Sequence, residues 1–300
     1  MEAQEEFDAI IVGGSYAGLA AALALGRAIR RVLVLDGGQP CNRQTPHSHN
    51  FLTQDGNTPA GVAAQAKAQV LAYPTVQFRE EAAVAVTGAD NNFAVTTASG
   101  AVVRARKLLF TTGIRDIMPA IPGFAESWGI SVIHCPYCHG YEYRDQPTGL
   151  LFNGDVAFEM AKFIRNWTPT LTVFTNGAAT LQPAHRAELA ASGIAVEEAP
   201  VRQLVHQAGH LTHLVLADGQ RPAITALYAR PAFEQHCSLP QALGCAHTAA
   251  GYLEVDGFQQ TSVPGIYAAG DATTPMRAVS AAVAAGTMAG VASSKALMGM

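Results

Sequence analysis

The chain has 300 residues, five of them cysteine, a net charge of −4 and only 14% charged residues, against roughly 25% in an average soluble protein. That length makes about two domains with a core that needs no covalent staples, and without a basic block neither nucleic acid nor an anionic membrane is an expected partner. The acidic start Met1-Glu2-Ala3-Gln4-Glu5-Glu6 runs into a strand, so no signal peptide is expected; the odd cysteine count argues against a disulfide framework and for a cytoplasmic setting.

Phe7 to Val12 reads as an apolar strand, followed by the glycine turn Gly13-Gly14-Ser15-Tyr16-Ala17-Gly18 and an alanine- and leucine-rich helix to about Ala28. Val32 to Leu35 is a second strand that ends on Asp36. Strand, turn, helix and strand in this order open a doubly wound sheet. Pro40 to Gly56 is a polar loop. Ala83–Thr87, Phe93–Thr97 and Ala101–Arg106 alternate like an antiparallel meander, with turn signals between them. Lys107 to Thr111 is expected as a further strand that stops at Thr112-Gly113, and Pro119, Pro122 and Gly123 mark a hinge.

A second strand–helix–strand unit is expected at Gly149–Phe152, Val156–Asn166 and Leu171–Phe174, with another antiparallel stretch at Val201–Leu216. Pro264 to Asp271 is a strand ending on an acid. Ala278 to Met300, small and apolar with Lys295 inside, is expected as a packing helix and not a membrane span. The fold class is therefore α/β, with two doubly wound three-layer (ββα) dinucleotide-binding domains. The expected boundaries are 1–114 with 245–300 for the first domain, and 115–244 for a second one inserted into it.

Gly13, Gly14 and Gly18 stand where a dinucleotide pyrophosphate approaches a helix N-terminus, with Ser15 replacing the usual middle glycine. Asp36 follows at the distance of a ribose acceptor. Taken alone, this turn either binds a dinucleotide or merely joins strand to helix. Thr261 to Asp271 resembles the C-terminal FAD motif of flavoproteins with two dinucleotide domains, and Thr111-Thr112-Gly113 resembles the short motif that closes their first FAD half. The resemblance implies FAD, with Gly113 and Gly270 in the site and Asp271 on the ribityl chain.

His134-Cys135-Pro136-Tyr137-Cys138-His139 is a C-x-x-C flanked by histidines. The spacing suits a redox disulfide, and a neighbouring base or helix N-terminus lowers a thiol pKa. The alternatives are a zinc half-site, which lacks a second C-x-x-C pair, and two inert core thiols. No metal site is expected. With both FAD motifs, the whole chain resembles the low-molecular-weight thioredoxin reductase family, including its dithiol-oxidase relatives. The resemblance implies that Cys138 exchanges electrons with the flavin and Cys135 with substrate. It also places the backbone of Met276-Arg277-Ala278 near the flavin and implies a homodimer. His139 stands where thioredoxin reductases carry an acid. At its ordinary pKa it would act as acid or base near pH 7; the plain alternative is a hydrogen-bonded loop residue.

The sequence departs from that family at the second nucleotide site. Phe152-Asn153-Gly154-Asp155-Val156-Ala157 has one glycine where several are expected, and Thr175-Asn176-Gly177 stands in place of the arginines that grip a 2′-phosphate. Arg165, Arg186 or Arg202 would have to supply that charge instead. The expectation is an FAD-dependent thiol–disulfide oxidoreductase without a good NAD(P)H site: a dithiol oxidase, or a disulfide reductase fed by a protein electron donor. The partner is a small dithiol or disulfide, or a thioredoxin-like protein. The alternatives are an NADPH-dependent thioredoxin reductase with an atypical site and a non-catalytic flavin-binding sensor or docking module. His47 and His49 alternate, so at most one faces the flavin or substrate. Cys41 is expected to be buried, and Trp128 and Trp167 carry no readable function.

Overall fold

The computed structural model describes residues 5–300; the expectation for Met1 to Gln4 lies outside the described residues. The chain forms two compact units, one made of the residues up to Arg43 with Asn50–Arg115 and Phe233–Met300, the other of Gln44–His49 with Asp116–Ala232.

The first unit begins with β1 (Glu6–Val12), α1 (Tyr16–Arg27) and β2 (Val32–Leu35), then α2 (Pro59–Leu71) and β3 (Val76–Arg79). The meander β4 (Ala83–Ala89), β5 (Asn92–Thr97) and β6 (Val102–Phe110) follows. The chain passes into the second unit along β7 (Ile114–Ile117). That unit contains α3 (Phe124–Ser127), β8 (Val132–Ile133), α4 (Pro136–His139), β9 (Thr148–Leu151), α5 (Gly154–Ile164), β10 (Leu171–Phe174) and α6 (Pro183–Ala191). It continues with β11 (Ala195–Glu197), β12 (Val201–Gln207), β13 (His210–Leu216) and β14 (Ala226–Ala229). The chain returns along β15 (Ala232–Gln235) to α7 (Leu239–Ala242), β16 (Ile266–Ala268), a 3-10 turn (Gly270–Ala272) and α8 (Val279–Leu297).

In the first unit the strands run β3-β2-β1-β6-β5-β4, with β16 also on β6. The contacts β3/β2, β2/β1, β1/β6 and β6/β16 are parallel, whereas β5 is antiparallel to both β4 and β6. Strand β6 corrects the expectation of two strands split near Arg106. It is continuous and changes partner along one edge, with Val102 to Ala105 on β5 and Leu108 to Phe110 on β16. Successive side chains of β1 point to opposite faces. Ile10 and Val12 join Leu33, Leu35, Leu108 and Phe110 on one face. Ala9 and Ile11 join Val32, Val34 and Leu109 beneath α1 and α8 on the other. Both faces are covered, as a parallel sheet requires.

Helix α8 packs on α1 through small residues: a Cβ on Gly286 would strike the Ala17 carbonyl, and one on Gly290 would lie 2.7 Å from that of Ala21. Its other side is open, with Met288 and Val291 each 42% exposed, so the expected packing helix is buried on one side only. Among the described residues no helix is long and apolar enough to cross a membrane. The return to the first unit falls at Phe233 rather than at residue 245, because Leu239 and Leu243, on and just after α7, pack on that unit's core beside buried Leu253.

In the second unit a five-stranded parallel sheet runs β11-β10-β9-β14-β8. The hairpin β12–β13 packs its Val201, Leu204, Leu211 and Leu214 into a core with Phe124 and Phe174. Strand β8 lies at the edge, and the chain leaves its C-terminal end directly into His134 and the cysteine pair.

Candidate active site

Cys135 is the N-cap of the four-residue helix α4 in extended conformation, and Pro136, with its fixed φ, opens the turn. The carbonyl of Cys135 accepts from the amides of Cys138 and His139, each at 3.2 Å. Cys135 and Cys138 are disulfide-bonded, with Cα atoms 5.3 Å apart. Tyr137, between them, is 63% exposed. Its ring lies 5.4 Å from Trp167 and 5.9 Å from half-exposed Phe163, and those two rings are 5.5 Å apart edge to face. His134 stacks on Trp128, whose Nε1 donates to Asp116 at 3.1 Å.

His139 corrects an expectation. Burial first, and the charge of His49 second, push its pKa down to about 4. The ring is therefore neutral at pH 7, since desolvation disfavours the imidazolium, and it is no acid near neutrality. Of the two loop histidines, His47 is exposed and His49 is half-buried, with Nε2 3.6 Å from Glu142 Oε1.

In the first unit Gly13 has φ +106°, and a Cβ there would lie 2.5 Å from the Thr111 carbonyl oxygen. Gly14 donates its N–H to Asp36 Oδ1 at 3.1 Å. A Cβ on Gly18 would strike the Gly13 carbonyl. Ser15 is the N-cap of α1 but makes no side-chain cap bond, and the first turn holds no acid. The first N–H groups of this helix thus carry neither of the side-chain partners that usually quench them. Beside the turn lies a cleft of about 440 Å³ lined by Gly14, Asp36, Gly38, Lys67, Phe78 and Glu80. Lys67 sits 3.8 Å above the Phe78 ring and 2.8 Å from Glu80.

Thr111 Oγ1 donates to the Gly13 carbonyl at 2.6 Å. Thr112 Oγ1 is buried without a partner among the described residues, and Gly113 has φ +66°. Gly270, at φ +80°, opens the 3-10 turn that carries Asp271. The Asp271 carboxylate lies 3.6 Å from Arg277 Nε and accepts from the Cys41 thiol at 3.6 Å. Cys41 is exposed, contrary to expectation, because it stands in the open loop after β2. Ala278 is the N-cap of α8; its N–H bonds to the Met276 carbonyl at 2.9 Å. Glycines, an unquenched helix start and a buried unpartnered hydroxyl fit a dinucleotide with its pyrophosphate at α1.

The corresponding helix start in the second unit is built differently. Asn153 caps α5, its Oδ1 accepting from Gly154 and from Thr180, both N–H groups at 2.8 Å. Asp155 occupies the first turn, where Gln182 Nε2 at 3.2 Å and His185 Nδ1 at 3.0 Å meet it. His185 stacks flat on Phe158 at 4.0 Å. Glu198, just after β11, accepts at 2.9 Å from the amide of Ala179 in the loop after β10 and pairs with Arg186 at 2.6 Å. Of the three arginines considered, Arg165 bonds the Pro169 carbonyl and Arg186 is held by Glu198.

The sequence reading did not find α2, which supplies Lys67 to the cleft, nor the pairing of His49 with Glu142, nor the ring contacts of Trp167. For α2 a signal was present: Thr58 caps it, accepting from Gly61 at 3.1 Å, and Pro59 opens it.

A disulfide across a C-x-x-C turn, in a chain of two doubly wound units of which one has an open dinucleotide turn, is the arrangement of a flavin-dependent disulfide oxidoreductase. The chain belongs to the pyridine nucleotide-disulphide oxidoreductase family, whose pattern matches residues 7–286, and within it to the FAD-dependent, thioredoxin reductase-like enzymes. It is 31% identical over 302 residues to thioredoxin reductase SirT of Leptosphaeria maculans, covering 95% of this chain and 92% of that one. The crystal structure of an oxidoreductase from Agrobacterium tumefaciens is 38% identical, with a TM-score of 0.92 over 98% of this chain and 99% of that one. That of HlmI is 33% identical, with a TM-score of 0.91 over 100% and 94%.

Proposed function

We propose that the chain oxidises a dithiol, cycling Cys135 and Cys138 between disulfide and dithiol against FAD in the unit that carries β1 and α8, and that it does so without a nicotinamide nucleotide in the unit that carries α5. The contrast between two helix starts carries this reading. Helix α1 presents N–H groups with no side-chain cap and no acid in its first turn, whereas α5 is capped by Asn153 and carries Asp155 in its first turn. A helix N-terminus favours an anion through those N–H groups and its dipole. A carboxylate already there opposes a second anion, and Glu198 holds Arg186 in an ion pair beside the loop that would meet a 2′-phosphate.

Gly13, Gly14, Ser15 and Gly18 hold the pyrophosphate of FAD in this reading, and Asp36 takes the adenosine ribose. Gly113, Gly270, Asp271 and Ala278 line the ribityl and ring end. The flavin, when bound, supplies a two-electron couple. A substrate thiolate attacks Cys135 and breaks its bond to Cys138, which leaves as thiolate. The second substrate thiol then attacks the mixed disulfide and releases Cys135, so one dithiol is oxidised and one disulfide reduced. Cys138 is the cysteine that would hand the electron pair to bound FAD, with oxygen or a protein carrier as the second redox partner. His139, next to Cys138 in the chain, rests in its neutral form near pH 7. The exposed aromatic rings at the disulfide support a small apolar dithiol as substrate, and the open strip of Met288 and Val291 on α8 supports a homodimer.

The second reading, an NADPH-dependent thioredoxin reductase, is favoured by the name that SirT carries. An anaerobic titration of the purified holoprotein separates the two. Bleaching of the flavin band by dithiothreitol, recovery in air and no response to NADPH or NADH supports the first reading. Bleaching within seconds by stoichiometric NADPH overturns it in favour of the second.

A further inference from the structure

Proton-accepting side chains converge on the turn that follows the cysteine pair. His139 closes α4, and Glu142 stands three residues further on. His49 arrives from elsewhere in the chain. The six residues Gln44–His49 belong to the cysteine-bearing unit although the chain on both sides of them belongs to the other. Ser48 is buried, and Thr45 Oγ1 lies 3.0 Å from the position of a Cβ on Gly129, so the segment is seated there. The excursion brings His49 Nε2 to 3.6 Å from Glu142 Oε1 and close enough for its charge to oppose protonation of His139.

We propose that His49, backed by Glu142, is the relay through which His139 exchanges protons with solvent each time the cysteine pair passes between disulfide and dithiol. The inference rests on the cysteine cycle of the preceding section. In that cycle two substrate S–H bonds break, one S–S bond forms in the product and one breaks in the enzyme. The two thiol protons must leave the substrate, and the two new cysteine thiolates need protons or a compensating charge. His139 is the neighbour of Cys138 in the chain, but its imidazolium is disfavoured by burial. A proton that crosses it therefore needs a second site on which to rest.

His49 is less enclosed than His139 and has a carboxylate at hand, Glu142 Oε1 at 3.6 Å. Arg144, two residues on, lies over the Tyr141 ring and bonds the Tyr141 carbonyl, and the charge of Glu142 also acts on two phenols. Tyr143 and Tyr228 are both raised, by burial first and then by the charge of Glu142, and Tyr143 donates to the Ile130 carbonyl at 2.9 Å. Neither releases a proton near neutrality. The ring of His47 is exposed and lies 6.5 Å from that of His49. His49 acts through His139, so it is a positioning and relay residue rather than one that touches substrate.

The test is rapid anaerobic reduction of the holoenzyme by dithiothreitol, followed at the flavin band across the acid-to-neutral range, with each rate divided by the thiolate fraction of dithiothreitol at that pH. Wild type is expected to slow as the pH falls. His49→Asn is expected to lose that acid limb, to run slower at neutral pH on the order of 10²-fold, and to regain rate with added imidazole. Glu142→Gln keeps the relay ring but removes the carboxylate beside it, so reduction at neutral pH should slow. A His49→Asn enzyme with the wild-type limb and no response to imidazole, whether slow or not, would overturn the relay. So would a Glu142→Gln profile superimposable on wild type. Turnover that survives Cys138→Ser would instead sink the cysteine cycle itself, so the two failures are distinguishable.

Discussion

Tyr137 and Trp167 meet edge to face with ring centroids 5.4 Å apart, which ties the residue between the two cysteines to the chain just beyond α5. The contact holds an exposed phenol beside the disulfide. Aromatic pairs of this geometry contribute about 0.5–1.5 kcal/mol beyond area burial. Tyr137→Ala should therefore raise KM for an apolar, ring-bearing dithiol by roughly tenfold. Dithiothreitol, which has no ring to stack, should be affected far less. Equal loss for both substrates would mean that the ring only shapes α4.

The depressed pKa of His139 has a stability consequence with a definite sign. Its folded value is about 4, below the ordinary value of about 6.5. Between these two values the unfolded chain binds a proton that the native state refuses, so acidification through this window destabilises the fold. The full difference is about 3 kcal/mol by linkage. Urea unfolding at pH 7 and at pH 5 checks it. His139→Gln should flatten the difference between the two conditions relative to wild type, and an unchanged difference would place the titration elsewhere.

Gly18 has no room for a side chain, because a Cβ would strike the Gly13 carbonyl in the turn before α1. Gly18→Ala should yield protein with little bound flavin, visible as a fall in the ratio of flavin to protein absorbance. Overpacking of this kind costs about 1–3 kcal/mol, so the chain should still fold. Retention of stoichiometric FAD would show that the turn can shift.

Asn153 closes the start of α5 with bonds to Gly154 and Thr180. Asn153→Ala should lower stability by about 1 kcal/mol, the usual worth of such a cap, and leave dithiol-driven flavin reduction intact. Thermal unfolding and the reduction rate, measured side by side, report both. Loss of reduction at full stability would give Asn153 a role that its present bonds do not explain.

Most of the first unit was legible because its signals are local. Glycine turn, periodic helix and apolar strand follow one another between Phe7 and Leu35; both strands and the end of the helix lie within one residue of expectation, whereas α1 starts at Tyr16, inside the stretch expected as turn. The split of β6 was not avoidable by the same reasoning. The alternation ends near Arg106 because the strand exchanges β5 for β16, a change of partner that is a tertiary event. In the site, the cysteine spacing announced its chemistry directly. The protonation of His139 did not, since burial is set by everything packed around it. Nor did the role of His49, whose meeting with Glu142 depends on a loop seated in a unit distant along the chain.

Gln44–His49 also limits how the protein can be taken apart. The chain changes units four times rather than twice, so the cysteine-bearing half is not a contiguous cassette. A graft that lifts Asp116–Ala232 into another scaffold would carry the disulfide, Tyr137, His139 and Glu142 but leave His49 behind. Recombination between relatives at the two obvious seams would likewise pair one parent's cysteines with the other parent's histidine loop, so compatibility across that loop becomes a selection pressure on chimaeras.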